Sequence, residues 1–404
     1  MKLYYGWLIV ALAFLNLITL YGVWYSYSVF MTYIASDFGW DRTTVSSFFS
    51  LFMITIGLTG PIVGYSIDRV GPKIVLTIGA MLLGSGLMLC SLVNTKVTFY
   101  IYFGILAGLG GSSIGLAGNT KTVTSWFIHQ RGLAAGIVTS GISVGLLIFV
   151  PLMQYWVGKY GWRSGFWYLA ILVFALVLPL NALLQKEKPN ELPDDVSKEN
   201  SMAIKGKEST NKADFIKKID FWAVFLIFFS GGLVVQGTLI HQVAITKDAG
   251  FTDSQTYLVF ATLGFWGTIG RPFWGLLADR FGSAVSYTTA SIIMLLGFGA
   301  ILTATIIRNL NFLYAYGLFF GLGYSAVAPI NWTIAIDLFP GSNFGLIYGL
   351  LFSGTALGAS LGPILSGYIY DTFSNYIVAY AVLALSMLTS CLLLNRVYRC
   401  NPRK

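Results

Sequence analysis

Charge is what this chain has least of: Asp, Glu, Lys and Arg supply 10% of its 404 residues, against 56% hydrophobic. A soluble domain of that size covers itself with charged side chains, so an ordinary water-facing surface is excluded. Histidine occurs twice and cysteine three times, at Cys90, Cys391 and Cys400. That supply excludes a disulfide framework and a Cys/His metal site, so no cofactor and no metal are expected. A glycine loop ending in lysine, which would cradle phosphate, is missing, as is a nucleophile paired with a base, and the chain does not read as an enzyme. A sensor would need an appended signalling domain, and none is legible in the polar segment 185–219 or the tail at 395–404.

What the chain has in quantity is apolar length, with 45 glycines and a mean hydropathy of +0.73. Stretches of roughly 20 residues, the length that crosses a bilayer, recur from end to end. The predicted spans are 7–30, 44–66, 74–94, 97–119, 132–157, 164–184, 220–243, 256–277, 285–307, 310–333, 344–368 and 376–395. The runs are continuous and do not alternate, which excludes barrel strands and predicts an all-α membrane protein with twelve transmembrane helices, its natural partner the lipid bilayer. The first span is too long for a signal-peptide core and is expected to remain as a helix.

Of the 25 Lys and Arg, only Arg42, Lys96, Lys159, Arg163, Lys247 and Arg308 fall on the side opposite the N-terminus, and Arg271 falls within a span. The positive-inside rule therefore places both termini in the cytoplasm, with the plasma membrane as the expected location. The formal charge of +9 reflects this bias and does not point to nucleic acid.

The lysine-rich, polar segment 185–219 divides the chain into an N-terminal bundle, 1–184, and a C-terminal bundle, 220–404. It reads as a solvated tether. The two bundles repeat. "PIVGYSIDRVG" at 61–71 matches "PFWGLLADRFG" at 272–282, and "GILAGLG" at 104–110 matches "GLFFGLG" at 317–323. The second offset also carries Gly136, Ser140, Gly141 and Gly145 onto Gly349, Ser353, Gly354 and Gly358. Two pseudo-symmetric six-helix bundles in parallel suit a carrier whose halves rock about a site near the bilayer midplane.

With its twelve spans, its duplication and its G-x-x-x-D-R-x-G loop, the chain resembles the major facilitator superfamily. The loop is present as Gly64, Asp68, Arg69 and Gly71 and again as Gly275, Asp279, Arg280 and Gly282. A carboxylate at the cytoplasmic end of a span can meet an arginine or the positive end of a neighbouring helix, and a pair made in one conformation must break in the other. Asp68, Arg69, Asp279 and Arg280 are thus candidates for conformational gating, although a topology signal with a tight turn explains the arginines as well.

"GTIGRPFWG" at 267–275 sets Arg271 inside an apolar run. The repeat aligns it with Gly60, so the fold does not need it. A buried structural arginine would need an acidic partner, and no Asp or Glu lies mid-membrane. An intramembrane charge of this kind is by default a substrate contact, and a guanidinium grips a carboxylate through two parallel hydrogen bonds. One cation suits one negative charge, which predicts a small monocarboxylate.

"YYGWLIV" at 4–10, "DFGWDRTTVSSFFSL" at 37–51, "RGLAAGIVTSGISVG" at 131–145, "GWRSGFW" at 161–167 and the arginine in span eight further resemble the monocarboxylate transporter family and the related oxalate/formate antiporters. The resemblance implies transport of lactate or pyruvate with a proton, Arg271 being the family's substrate arginine. Animal members carry a lysine where this chain has Tyr25 and an aspartate where it has Gly267, so their proton route does not carry over. The antiporters add a lysine in span eleven, which is absent here.

His241, near the outer end of span seven, is either the proton-coupling or gate residue, or an interfacial histidine bonded to a neighbour. His129 falls in a cytoplasmic loop. Tyr324, Ser112, Ser113 and Tyr25 lie at cavity depth as substrate contacts or as packing, and Asn119 and Asn331 near cytoplasmic helix ends as caps or gates. The reading is a secondary transporter, functional as a monomer, whose partners are a monocarboxylate and a proton; the alternatives are a small-carboxylate anion exchanger of the oxalate/formate type and a transporter-like sensor.

Overall fold

The computed structural model describes residues 5–127, 131–186, 219–339 and 344–400. Residues 187–218 of the linker between the halves, His129 and the last four residues lie outside them. Twelve long helices make up the described residues. The first half contains α1 (Tyr5–Phe38), α2 (Arg42–Val70), α3 (Pro72–Cys90), α4 (96–126), α5 (Arg131–Tyr160) and α6 (Trp162–Leu184). The second contains α7 (Ile219–Asp248), α8 (Asp253–Phe281), α9 (Ser283–Ile307), α10 (Leu310–Leu338), α11 (Phe344–Phe373) and α12 (Ile377–Cys400). Eleven are apolar enough over a membrane length to cross a bilayer. The exception is α8, which carries Arg271 and Pro272 in its interior.

The repeated loop is built the same way twice. Gly71 and Gly282 have φ of 84° and 86°, a region that favours glycine, and each ends one helix and starts the next within a single residue. That explains why the loop motif ends in glycine. A second repeated pair, Gly145 and Gly358, lies where helices cross at backbone contact: an added carbon would sit 2.5 Å from the Ile18 carbonyl oxygen in one half and 1.9 Å from that of Phe229 in the other. These crossings join α1 to α5 and α7 to α11, the equivalent pairs of the two halves.

Helix α4 is less regular. Residues Tyr100–Ala107 are π-helical, and the chain breaks at Gly115. Below the break, Asn119, Asn16 and Asn181 hold one another in a buried amide cluster at 2.7 to 3.1 Å, tying α4 to α1 and α6. Asn119 also donates to the Ile114 and Gly115 carbonyls at 2.6 and 3.0 Å, so it caps the break in α4 as well as packing the first half.

The halves meet along three seams, α1 with α7, α2 with α11 and α5 with α8. Pro61, Pro151, Pro272 and Pro363 each lie inside one of the four helices of the last two seams, where a missing N–H permits a bend. Midway along, an added carbon at Gly57 would come 3.1 Å from the Ala356 side chain, and one at Gly264 would come 2.8 Å from Leu146. Nearer the face where α1 begins and α12 ends, the same helices stand apart: carbons added at Gly60, Gly349, Gly136 or Gly275 would meet nothing within 4 Å. Among the described residues, the halves are closed at the far face and open at the terminus face.

Candidate functional site

Arg271 is partly buried, on α8, at the inner end of the α5/α8 seam. Its Nε donates to the Ser143 hydroxyl of α5 at 2.8 Å, and among the described residues its two Nη groups make no hydrogen bond and no ion pair. Around it stand phenols. Tyr21 and Tyr25 of α1 lie within range of the Arg271 charge, and Tyr25 within range of Tyr324 of α10. The Tyr324 hydroxyl is buried and makes no hydrogen bond among the described residues. Helix α8 leaves room for it with a glycine, since a carbon at Gly267 would come 2.7 Å from that hydroxyl. Trp24 stacks on Tyr21, ring centres 5.0 Å apart, and donates to Gln236 of α7 at 3.1 Å. The result is one cation whose two-donor edge is free and unopposed by any acid among the described residues, beside aromatic hydroxyl groups.

Two of the expected contacts are engaged elsewhere. Ser112 donates to the Ile56 carbonyl of α2 at 3.2 Å. Ser113 faces Gly79 of α3 and donates to the Leu109 carbonyl at 3.1 Å. Both hydroxyls serve packing within the first half, and the structure does not bring them to Arg271.

His241 does not approach Arg271. It is buried in the closed outer half, with Nε2 2.8 Å from the Pro363 carbonyl and 3.0 Å from the Ser46 hydroxyl, and Nδ1 2.9 Å from the Tyr376 hydroxyl. A carbonyl can only accept, so Nε2 carries the hydrogen and Nδ1 of the neutral ring accepts from Tyr376. Tyr376 in turn accepts from the Arg42 guanidinium. The chain of donors runs from Arg42 through Tyr376 and His241 to Pro363.

That chain belongs to a larger clasp. Arg42 pairs with Asp248 at 2.8 Å and lies 3.7 Å over the Tyr370 ring. Asp371 accepts from the Arg42 and Thr43 amides at 3.2 and 2.9 Å and from the Thr43 hydroxyl at 2.6 Å, capping α2 from the opposite half. Tyr33 reaches Asp253 at 3.4 Å. Among the described residues, every hydrogen bond between the halves lies at Arg271 or closer to the far face.

At the terminus face, Arg69, Asp279 and Arg280 form no ion pair among the described residues. Arg69 lies over its own neighbour Tyr65 at 4.9 Å, Arg280 over Phe281 at 5.3 Å, and Asp279 is exposed. The Asp68 side chain lies outside what the structure describes. Sequence reasoning missed the clasp, counting Arg42 only as a topology signal, and missed Ser143. One signal was available for the latter: the offset that aligns the fifth and eleventh helices puts Ala356 opposite Ser143.

Comparison with known proteins agrees with this architecture. The sequence profile of the Major Facilitator Superfamily matches residues 12–242 and 235–404. An uncharacterized MFS-type transporter, YcxA, of Bacillus subtilis (strain 168) is 27% identical over 93% of this chain and 91% of its own. Monocarboxylate transporter 2 of Homo sapiens is 25% identical over 93% of this chain and 82% of its own, and the oxalate:formate antiporter of Oxalobacter formigenes 25% over 87% and 80%. The crystal structure of a bacterial homologue of the human lysosomal transporter Spinster, inward-facing and unoccupied, superposes with a TM-score of 0.72 at 15% identity, covering 98% of this chain and 96% of the other.

Proposed function

The chain belongs to the Major Facilitator Superfamily and is a multi-pass membrane transporter, not an enzyme, and from that premise we propose that it carries short monocarboxylates of the lactate or pyruvate type by alternating access, together with a proton. The observation that carries the reading is the Arg271 guanidinium, its two Nη groups unpaired among the described residues at the inner end of an open cleft. An unpaired buried cation is costly, and an anionic substrate offsets that cost. Relatives named as monocarboxylate transporters and as an oxalate:formate antiporter support a small carboxylate. One cation with no second positive group beside it among the described residues favours a monoanion.

In this reading the bundles 1–184 and 220–404 are the rocking bodies and 185–219 joins them. The terminus face is cytoplasmic, so the open cleft is an inward-facing one. Asp68 and Asp279, with Arg69 and Arg280, close that face when the far face opens, and His241 couples the proton from its place in the far-face clasp. The plasma membrane and a monomeric working unit complete the proposal. Uptake of labelled lactate into proteoliposomes, with and without an inward pH gradient, tests it. Gradient-stimulated uptake is expected from the parent protein. Loss of a charged pair in a cavity costs on the order of 2 to 5 kcal/mol, so Arg271→Ala should bind at least about tenfold more weakly. Near-normal lactate binding by that variant would sink the assignment.

A further inference from the structure

Arg271 is fastened at one atom, and the fastening comes from the other half of the molecule. Ser143 is fully buried on α5, and its hydroxyl accepts from Nε, which leaves the guanidinium's other edge, Nη1 with Nη2, unoccupied among the described residues. A guanidinium meets a carboxylate in a two-bond grip through either of two edges, one of which uses Nε. With Nε engaged, only the end-on edge remains.

We propose that Ser143 is a positioning residue for substrate: by holding Nε it sets the plane and direction of the Arg271 fork, so that the anion is taken end-on at the α5/α8 seam. The inference rests on the reading of Arg271 as the anion contact. The internal duplication supports it independently. In the sister seam, α2 with α11, Gly60 stands for Arg271 and Ala356 for Ser143, so both members of the pair are replaced together. That seam closes on a small apolar contact instead, between Gly57 and Ala356. The fold therefore closes such a seam without a hydroxyl or a guanidinium, and packing alone gives no reason for Ser143. An arginine with four rotatable bonds loses considerable freedom when it binds, and a fixed Nε removes part of that loss beforehand.

The test is equilibrium binding of L-lactate to the purified full-length protein, with Ser143→Ala, Ser143→Thr and Arg271→Lys, alone and combined. Ser143→Ala removes the acceptor and is expected to weaken binding about tenfold, while Ser143→Thr, which keeps the hydroxyl, stays within about threefold of the parent. Lysine has no Nε–H fork to orient, so adding Ser143→Ala to Arg271→Lys is expected to cost less than about twofold more. A serine that only packs α5 would instead cost the same in both backgrounds, and that additivity overturns the proposal. So does equal weakening by Ala and Thr, or parent-like binding by Ser143→Ala. If Ser143→Ala fails to fold, the Thr variant decides: parent-like binding supports the role of the hydroxyl, and a tenfold loss ends it. Failure of the underlying reading is separate, since it shows as normal binding by Arg271→Ala, whereas failure of this inference alone shows as lost binding by Arg271→Ala beside normal binding by Ser143→Ala.

Discussion

Arg42, in the first turn of α2, grips Asp248, at the end of α7, across the seam between the halves at 2.8 Å. The two side chains are 18% and 37% exposed, so the pair by itself is worth about 1 kcal/mol or less. The clasp is a sum of such contacts, with Asp371 on the α2 amides and Tyr376 under the guanidinium. Several weak contacts together can hold one state and still part without a large barrier, which suits a gate.

Weakening the clasp should favour the state open at the far face. A cysteine at Ser46, buried against His241, reports that opening to an impermeant thiol reagent on a background without native cysteines. Arg42→Ala and Asp371→Asn are expected to raise its labelling, and Asp68→Asn, which weakens closure of the terminus face, to lower it. Equal labelling in all variants, with unchanged transport, removes the gating roles.

His241→Gln should keep exchange of substrate for substrate while losing most acceleration by an inward pH gradient, because glutamine hydrogen-bonds but does not titrate near neutrality. Tyr376→Phe removes the donor to Nδ1 and should change the gradient response in the same assay. Parent-like stimulation of His241→Gln makes the histidine a structural bridge only.

Charge and geometry at Arg271 are separable. Arg271→Lys keeps the charge and loses the planar fork, so lactate binding should fall at least about tenfold in it as well. In the parent, lactate and pyruvate should outcompete oxalate and malonate, since a single guanidinium leaves one charge of a dianion uncompensated. Tighter binding of oxalate would keep the arginine and move the function to anion exchange.

Gly267 should not tolerate a side chain. The alanine carbon would sit 2.7 Å from the Tyr324 hydroxyl and 3.0 Å from its ring, and overpacking of this kind costs about 1 to 3 kcal/mol. Gly267→Ala is expected to lower both the unfolding temperature and the lactate affinity, and adding Tyr324→Phe to recover part of the stability. No change in unfolding temperature would show that the ring moves aside freely.

Much of this was legible in the chain. Apolar runs of membrane length, a lysine bias on alternate loops and a twofold repeat are local or periodic signals, so the span count, the doubling and the isolation of Arg271 could be read without coordinates. The glycines that close the Gly71 and Gly282 turns, or let α1 cross α5 at Gly145, leave the same kind of trace. Depth along a helix was legible too, but direction around it was not. Ser112 and Ser113 follow the π-helical stretch Tyr100–Ala107, whose wider turns rotate everything downstream, and they face α2 and α3 instead of Arg271.

Hydropathy and repetition are properties of neighbouring residues, and they determined a doubled bundle of membrane helices with one arginine out of place. What the tertiary structure decided is which distant groups meet: Ser143 with Arg271, 128 residues apart, and Arg42 with Asp371, 329 residues apart. Such pairs depend on how two six-helix bodies lean on each other, closed at one face and open at the other. The chain is compatible with either lean, because a carrier must adopt both, and only the packed molecule selects which contacts are made.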